Sequence, residues 1–533
     1  MTIDGRTLAR AGLIVTGAYL ASRLLGWVRI AVFSAIFGAS ADLDAYFAAF
    51  RIPDLIFQLV AAGALSSALI PVLAGLLAGG EDRRSWKLVG TITNLMLLAL
   101  VVLSIALGIA APEVMRLMTP GFDGAQLDLT VRLSRIMLLS PIFLGLGAVA
   151  TSALNALNRF TAAALAPVLY NLGIIVAALT LSRQLGVEAL AIGVVAGSFL
   201  NVGIQVVALA RSGRFRFDLG LDLRDAATRE VLLLVAPRAL GLGATQITFI
   251  VNTTLASGLG AGAIVVYNLA FTVLQIPLGV IGVPLGVVLL PSMSHAFAAG
   301  DWRTFGQLVL RPLRLMLYVM LFMTALMMVL REQLVTLLLD YGRFSQAAVE
   351  ETSQALLFFL LGLAAESLVV VLARAFYAGH ETRIPVLAAV AAVAVNVIVS
   401  VATVGRLGVA GLALGIGVGA WLEASILIVL LQRRLRDIDL GPALARAAVL
   451  FGAGALLAGV GALVALGLAR GLLGPGADRA GVLVETVVAA GVGGAVYAAY
   501  SAAARIPEFG QSLGLLGSLL RRGRGGAGTA MGS

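Results

Sequence analysis

Long apolar runs separated by short polar stretches dominate this chain. Fourteen runs can be distinguished, and most exceed the roughly 20 residues that a helix needs to cross a bilayer. The runs cover approximately residues 11–37, 44–78, 86–111, 129–157, 160–182, 187–210, 230–257, 262–297, 303–330, 347–378, 383–404, 407–432, 442–468 and 482–504. The pattern predicts an all-α polytopic membrane protein with 14 transmembrane helices.

Two of these runs are unusual in length. The second spans 35 residues and contains Pro53 and Pro71, so it is expected to form a kinked helix. No Asp, Glu, Lys or Arg occurs from residue 239 to 300, and the Gly-rich stretch 257–262 is the predicted turn between the seventh and eighth helices.

Composition narrows the function classes. The chain is 60% hydrophobic and 12% charged, which excludes an ordinary soluble protein. It contains no cysteine and only His295 and His380, so disulfides, thiolate metal sites and a histidine-built metal site are not expected. No catalytic triad, P-loop or haem motif is present. We therefore predict a protein that is not an enzyme and uses no metal or cofactor.

The charged loops predict an orientation. The formal net charge is +10, and the arginines lie mostly between apolar runs, where they set topology and do not indicate nucleic-acid binding. One face receives most of them, including Arg83, Arg159, Arg211, Arg303, Arg433 and both termini. The other face has only scattered arginines, among them Arg116 and Arg470. The prediction is that both termini are cytoplasmic. The tail from Arg521 is expected to be disordered.

An internal repeat predicts two related halves. Residues 185–197 and 407–419 are identical at seven of 13 positions, at an offset of 222 residues. Six helices per repeat give both halves the same topology, so we predict two six-helix lobes related by a parallel pseudo-two-fold along the membrane normal. The predicted boundaries are 1–215, 216–436, a two-helix addition at 437–505 and a tail at 506–533. Transporters of this design bind cargo between the lobes.

Three arginines in the first two runs are the strongest functional signal. Arg23 and Arg29 lie within the first run, and Arg51 lies close to Pro53 in the second. A charge at bilayer depth costs roughly 2.5–3.5 kcal/mol on insertion scales, so such residues usually face a cavity or a partner. A cationic cavity favours an anionic cargo. The alternative is that a side chain extends to the membrane interface.

Two further polar sets allow more than one interpretation. Arg238, Thr245 and Asn252 recur every seven residues and form one helical stripe, which would line the cavity or join neighbouring helices. Glu366 and Glu423 lie inside later runs. Each would be either a proton-coupling carboxylate or a group neutralised by an arginine such as Arg374.

Several motifs resemble one known family. They include Ser22-Arg-Leu-Leu-Gly-Trp-Val-Arg29, the stretch from Asp44 to Pro53, the stretch from Gly63 to Pro71, Leu154-Asn-Ala-Leu-Asn-Arg-Phe160 and the stretch from Gln275 to Val283. In order and spacing they are similar to the MurJ (MviN) family of lipid II flippases, in the MOP exporter superfamily. The resemblance implies fourteen helices in two lobes, with a cationic cavity for the diphosphate and sugar head of lipid II. The last two helices are implied to form a groove for the polyprenyl tail.

The resemblance also implies roles for individual residues. Arg23 and Arg29 match cavity arginines of the family, and Asp44 matches the acidic residue that opens the second helix. Thr272 stands where the family has an arginine, and Asn252 stands where some members have an aspartate linked to sodium binding. Arg51 and Arg238 are predicted to replace the missing charge.

The partners implied are lipid II or a similar polyprenyl-linked glycan, membrane lipids and a coupling ion. The implied role is peptidoglycan precursor export across the bacterial cytoplasmic membrane. The alternatives are an exporter of another lipid-linked glycan or of a cationic small molecule, and a membrane scaffold without transport activity.

Overall fold

The structure is a computed structural model that describes residues 5–60, 64–213, 220–435, 438–474, 478–512 and 514. The described residues form helices and no strand. The helices are α1 (Gly5–Phe37), α2 (Ala41–Val60), α3 (Ala64–Ala78), α4 (Asp82–Ile109), α5 (Ala111–Met118), α6 (Gly124–Met137), α7 (Ser140–Ala156), α8 (Phe160–Leu185), α9 (Glu188–Ala210), α10 (Ala226–Ser257), α11 (Ala263–Pro277), a π-helical turn (Leu278–Gly282), α12 (Val283–Ala298), α13 (Trp302–Val329), α14 (Arg331–Leu339), α15 (Gln346–Leu360), α16 (Leu363–Ala378), α17 (Arg383–Leu407), α18 (Val409–Arg434), α19 (Leu440–Leu473) and α20 (Arg479–Ala503).

Every predicted apolar run coincides with a helix or with consecutive helices. Eleven spans are long and apolar enough to cross a membrane, and the pair α15–α16, bent by 47°, is a twelfth if it counts as one span. The described residues of the second run form α2 and α3, with Pro53 inside α2 and Pro71 inside α3. The prediction of an all-α polytopic membrane protein is confirmed, while the count of 14 membrane crossings stays a prediction.

The chain divides into two compact units. The first comprises Met1–Leu269 with Leu339–Ala348, and the second comprises Ala270–Leu338 with Val349–Ser533. In the first unit, buried side chains of α2 to α7, α9 and α10 form a continuous hydrophobic core that includes Leu69, Ile92 and Leu100. The predicted lobe boundaries and their symmetry axis stay predictions.

The two copies of the repeat form similar helical hairpins, one in each unit. Gly186, between α8 and α9, has φ 58° and ψ −139°, and Gly408, between α17 and α18, has φ 56° and ψ −134°. This left-handed conformation favours glycine because a Cβ atom would be strained. The hairpins therefore share their turn geometry at the 222-residue offset, as a duplication predicts.

Within the second unit, polar contacts join α13 and α14 to α19, to α20 and to residues that follow α20. The Tyr497 hydroxyl donates to the Tyr318 carbonyl at 2.7 Å, and Arg314 Nε donates to Glu508 at 2.6 Å. Arg470 was expected in an outward loop but lies in the last turn of α19. Its guanidinium donates to Glu485 at 3.3 Å and to Glu332 at 3.1 Å.

Candidate functional site

The two arginines of α1 differ in their surroundings. Arg23 is exposed at the protein surface, and its Nη2 donates to the hydroxyl of Tyr19, one turn earlier, at 2.9 Å. Arg29 is half-buried, and the phenols of Tyr46 on α2 and Tyr170 on α8 lie close enough to interact with its charge. Arg29 Nε is buried and has no hydrogen-bond partner among the described residues. Arg29 therefore keeps donor capacity that another group can use.

Arg51 has several partners within the first unit. Its Nε donates to Thr253 Oγ1 of α10 at 3.0 Å, and its Nη2 donates to Asn268 Oδ1 of α11 at 2.6 Å. The guanidinium also lies 5.0 Å from the centre of the Phe249 ring, which places it for a cation–π interaction. Arg51 thus joins α2 to α10 and α11.

A carboxylate accompanies Arg51. Asp54 follows it by three residues on α2, where i and i+3 side chains are neighbours, and the two charges attract each other. Gln246 Nε2 donates to Asp54 Oδ2 at 3.4 Å, and Gln58 bonds to the same carboxyl group. Arg51 and Asp54 are therefore half-buried neighbours of opposite charge, and two amides bond to the carboxylate.

Sequence reasoning missed Asp54, Thr253 and Asn268 as members of this cluster. The three-residue spacing of Arg51 and Asp54 is a signal that could have identified the carboxylate. The cross-helix partners leave no such local signal.

Asp44 supports a helix end. It is buried, and its carboxylate accepts hydrogen bonds from the backbone N–H of Gly262 and, at 2.8 Å, of Val265. These groups open α11, where the first N–H groups of a helix lack partners within the helix. A carboxylate at that position also stabilises the helix dipole. The geometry gives Asp44 a positioning role, and the contact with cargo implied by the resemblance stays a prediction.

Asn252 lies in the interior of the first unit. It is fully buried, and its Nδ2 donates to the Tyr267 hydroxyl at 3.0 Å. Its Oδ1 has no partner among the described residues. The amide therefore connects α10 to α11, as the helix–helix alternative for the polar stripe predicts.

The remaining predicted site residues lie on α10 and α11. Arg238 and Thr245 belong to α10, but their side chains lie outside the described residues. Thr272 is half-buried on α11, one helical turn after Asn268. Arg51 and Asn252 therefore lie in one region, because Arg51 bonds to α10 and α11 and Asn252 joins the same two helices. The side-chain hydrogen bonds of Arg23 stay within α1.

Two carboxylates of the second unit interact electrostatically. Glu366 on α16 and Glu423 on α18 are close enough for their charges to repel. No ion pair joins either one to a basic group in the part of the chain that the structure describes. Arg374 instead donates to the carbonyl of Val370 at 3.1 Å. The interpretation that Arg374 neutralises these carboxylates is therefore not supported by the geometry.

Comparison with known sequences gives a consistent match. The family model described as "Lipid II flippase MurJ" matches residues 33–472. The lipid II flippase MurJ of Burkholderia cenocepacia is 33% identical over 436 residues, which is 80% of this chain and 84% of that protein. The probable lipid II flippase MurJ of Rhizobium tropici is 31% identical over 439 residues, covering 80% of this chain and 81% of that protein.

Solved structures share the fold. A lipid II flippase MurJ in an inward closed conformation superposes with a TM-score of 0.76 at 22% identity, covering 92% of this chain and 98% of that one. An inward-facing multidrug resistance MATE family transporter of the MOP superfamily superposes with a TM-score of 0.67 at 16% identity, covering 80% and 98%. This chain therefore shares its fold with these two membrane transporters. Within this class, the sequence matches show that the chain belongs to the MurJ family.

Proposed function

We propose that this protein is a flippase that moves lipid II, a polyprenyl-diphosphate-linked cell-wall precursor, from the inner to the outer leaflet by alternating access. The observation that carries the proposal is the family match over residues 33–472. The relatives are named lipid II flippases, which favours this cargo over another glycan, a cationic small molecule or a scaffold role.

The first-helix arginines are suited to the head group of this cargo. A diphosphate carries negative charge on several oxygens, and hydrogen bonds from a guanidinium to such oxygens are roughly twice as strong as neutral ones. Arg29 has a buried Nε without a partner among the described residues. We assign Arg29, together with Arg23 six residues earlier, to the diphosphate. The polyprenyl tail would remain in lipid along α19 and α20.

The missing family arginine at Thr272 requires a substitute. Arg51 is a weaker candidate than its charge suggests, because its donors already bond to Thr253 and Asn268 and its charge is balanced by Asp54. We therefore assign the compensating role to Arg238 of α10. In this proposal a threonine hydroxyl at position 272 supplies one hydrogen bond to the head group but no charge.

The proposed setting is the bacterial cytoplasmic membrane, with both termini in the cytoplasm and no enzymatic step. The arginine-rich loops support this orientation. We also expect transport to be coupled to an ion.

Growth rescue tests the function. Cells depleted of their own lipid II flippase are expected to grow and to keep their shape when they express this chain. Lysis despite normal amounts of the protein in the membrane would refute the proposed cargo. An unrelated membrane protein at equal abundance is the control.

A further inference from the structure

A basic cavity is lined by the beginning of α8, the residues just before it and the end of α9. Its volume is about 590 Å³, and it lies entirely within the first unit. Arg159 and Arg211 supply its charge, Asn158 and Thr161 add polar groups, and Leu165 and Ile204 belong to its apolar wall. The motif Leu154–Phe160 contributes to this cavity, although the proposed transport function does not use it.

The basic groups of this cavity are available to bind a ligand. Arg159 and Arg211 are exposed, and their guanidinium groups form no hydrogen bond or ion pair within the described part of the chain. Arg159 is also the N-cap of the 26-residue helix α8, and no side chain caps that helix end. The first N–H groups of a helix and its dipole favour an anion. Two guanidinium groups and an open helix N-terminus therefore surround the same space.

The apolar wall narrows the ligand class. Ile204, Val207 and Ala208 of α9 line the cavity together with Ala162 and Leu165 of α8. A free inorganic anion would leave this wall unused, whereas an acyl chain would cover it. Basic pockets between membrane helices are known to take anionic lipid head groups. We propose that this cavity binds an anionic glycerophospholipid, with its phosphate between Arg159 and Arg211 and an acyl chain along the wall.

The second copy of the repeat provides an internal comparison. Asn158 and His380, 222 residues apart, both have left-handed backbones with φ of 58° and 56°. The next position is Arg159 in the first copy and Glu381 in the second. Arg434, at the end of α18, donates to Glu381 at 3.4 Å. The second copy therefore has a carboxylate that pairs with a nearby arginine, whereas the first copy has Arg159 in place of that carboxylate.

Lipid binding to the purified full-length protein tests the proposal. The probe is phosphatidylglycerol, compared with phosphatidylcholine and with inorganic phosphate as a competitor. We expect saturable binding of one phosphatidylglycerol that neither competitor removes. The pair Arg159→Ala/Arg211→Ala should weaken it about 30-fold, the effect of two basic residues near an anionic lipid surface. Arg159→Glu should abolish it, because it recreates the acidic residue of the second copy.

Matched variants make the result decisive. Arg83→Ala/Arg303→Ala removes two exposed arginines outside the cavity and should leave binding unchanged. Ala208→Phe fills the cavity without altering charge and should also prevent binding, which covers the case in which an arginine variant fails to fold. Equal occupancy by the two lipids, displacement by inorganic phosphate alone, or full binding by Arg159→Ala/Arg211→Ala would overturn the proposal.

Discussion

Arginines in the first two membrane segments fall into two kinds. Arg51 bonds to side chains of two other helices and has a carboxylate nearby, so its charge is balanced inside the protein. Arg29 has a buried Nε for which the described residues offer no partner. A buried donor without a partner costs free energy, and a cargo phosphate would recover it. Arg51 therefore holds helices together, whereas Arg29 is suited to binding a phosphate group.

Replacing Arg51 is expected to destabilise the fold. Arg51→Ala removes the hydrogen bonds to Thr253 and Asn268 and leaves the charge of Asp54 without its neighbouring cation, at a cost of about 1–3 kcal/mol. The thermal unfolding midpoint of the detergent-purified protein should fall. Arg116→Ala, at an exposed position of α5, should leave it unchanged. Equal midpoints for the two variants would contradict the structural role of Arg51.

Asp44 should act through helix α11. Asp44→Ala removes the acceptor for two backbone N–H groups, and losing a helix cap costs about 0.5–2 kcal/mol. Asp44→Asn keeps one acceptor oxygen and should recover part of the stability. The measurement is the unfolding midpoint together with transport. If Asp44→Ala keeps full stability but loses transport, Asp44 contacts the cargo instead.

For single residues, the sequence predicts the depth of a charged side chain in the membrane better than it predicts the partners of that side chain. The depth of Arg23, Arg29 and Arg51 within apolar runs follows from counting residues. The bond from Arg51 to Thr253 joins residues 202 apart, and the one from Asp44 to Val265 joins residues 221 apart. No local periodicity encodes such pairs, because they depend on which helices pack together. The resemblance identified Asp44 as important but not as a helix cap.

Close helix packing defines the repeated hairpins at the scale of elements. A Cβ atom on Gly197 would lie 2.4 Å from the Tyr170 carbonyl oxygen, and one on Gly419 would lie 2.8 Å from that of Ala392. These glycines occupy the same place in the two copies of the repeat. Both hairpins therefore need glycine where their helices touch.

Gly197→Ala is expected to separate α8 from α9. The added methyl group must displace backbone atoms, which typically costs about 1–3 kcal/mol. Gly203→Ala in the same helix meets no atom within 4 Å and should be neutral or slightly stabilising, since alanine favours helix. Thermal unfolding of the two variants gives the comparison. A neutral Gly197→Ala would show that the helices are not packed this closely.

The ion pairs of Arg470 should secure α19 and α20 to α14. Glu485 is almost fully buried, so Arg470→Ala leaves its charge without a partner, at a cost of about 1–3 kcal/mol. Arg470→Met combined with Glu485→Leu removes the pair together and should restore much of the loss. The unfolding midpoint is the readout. A single variant as stable as the double variant would contradict this role.

For the whole molecule, the pattern of hydropathy predicts where the helices lie, which the composition alone does not. The fourteen apolar runs coincide with helices because a bilayer requires apolar helical segments of a certain length. The π-helical turn before α12 and the 47° bend between α15 and α16 are less visible in sequence. These features depend on how neighbouring helices satisfy the hydrogen-bonding groups of the backbone.

The central claim is that cationic residues of α1 carry the lipid II head group across the membrane. The most direct measurement is the amount of labelled lipid II whose head group is reached by an enzyme added outside spheroplasts, with this chain as the sole flippase. The wild-type protein should expose lipid II, whereas Arg23→Ala/Arg29→Ala, at equal membrane abundance, should expose none above background. Normal exposure by the double variant would contradict the account.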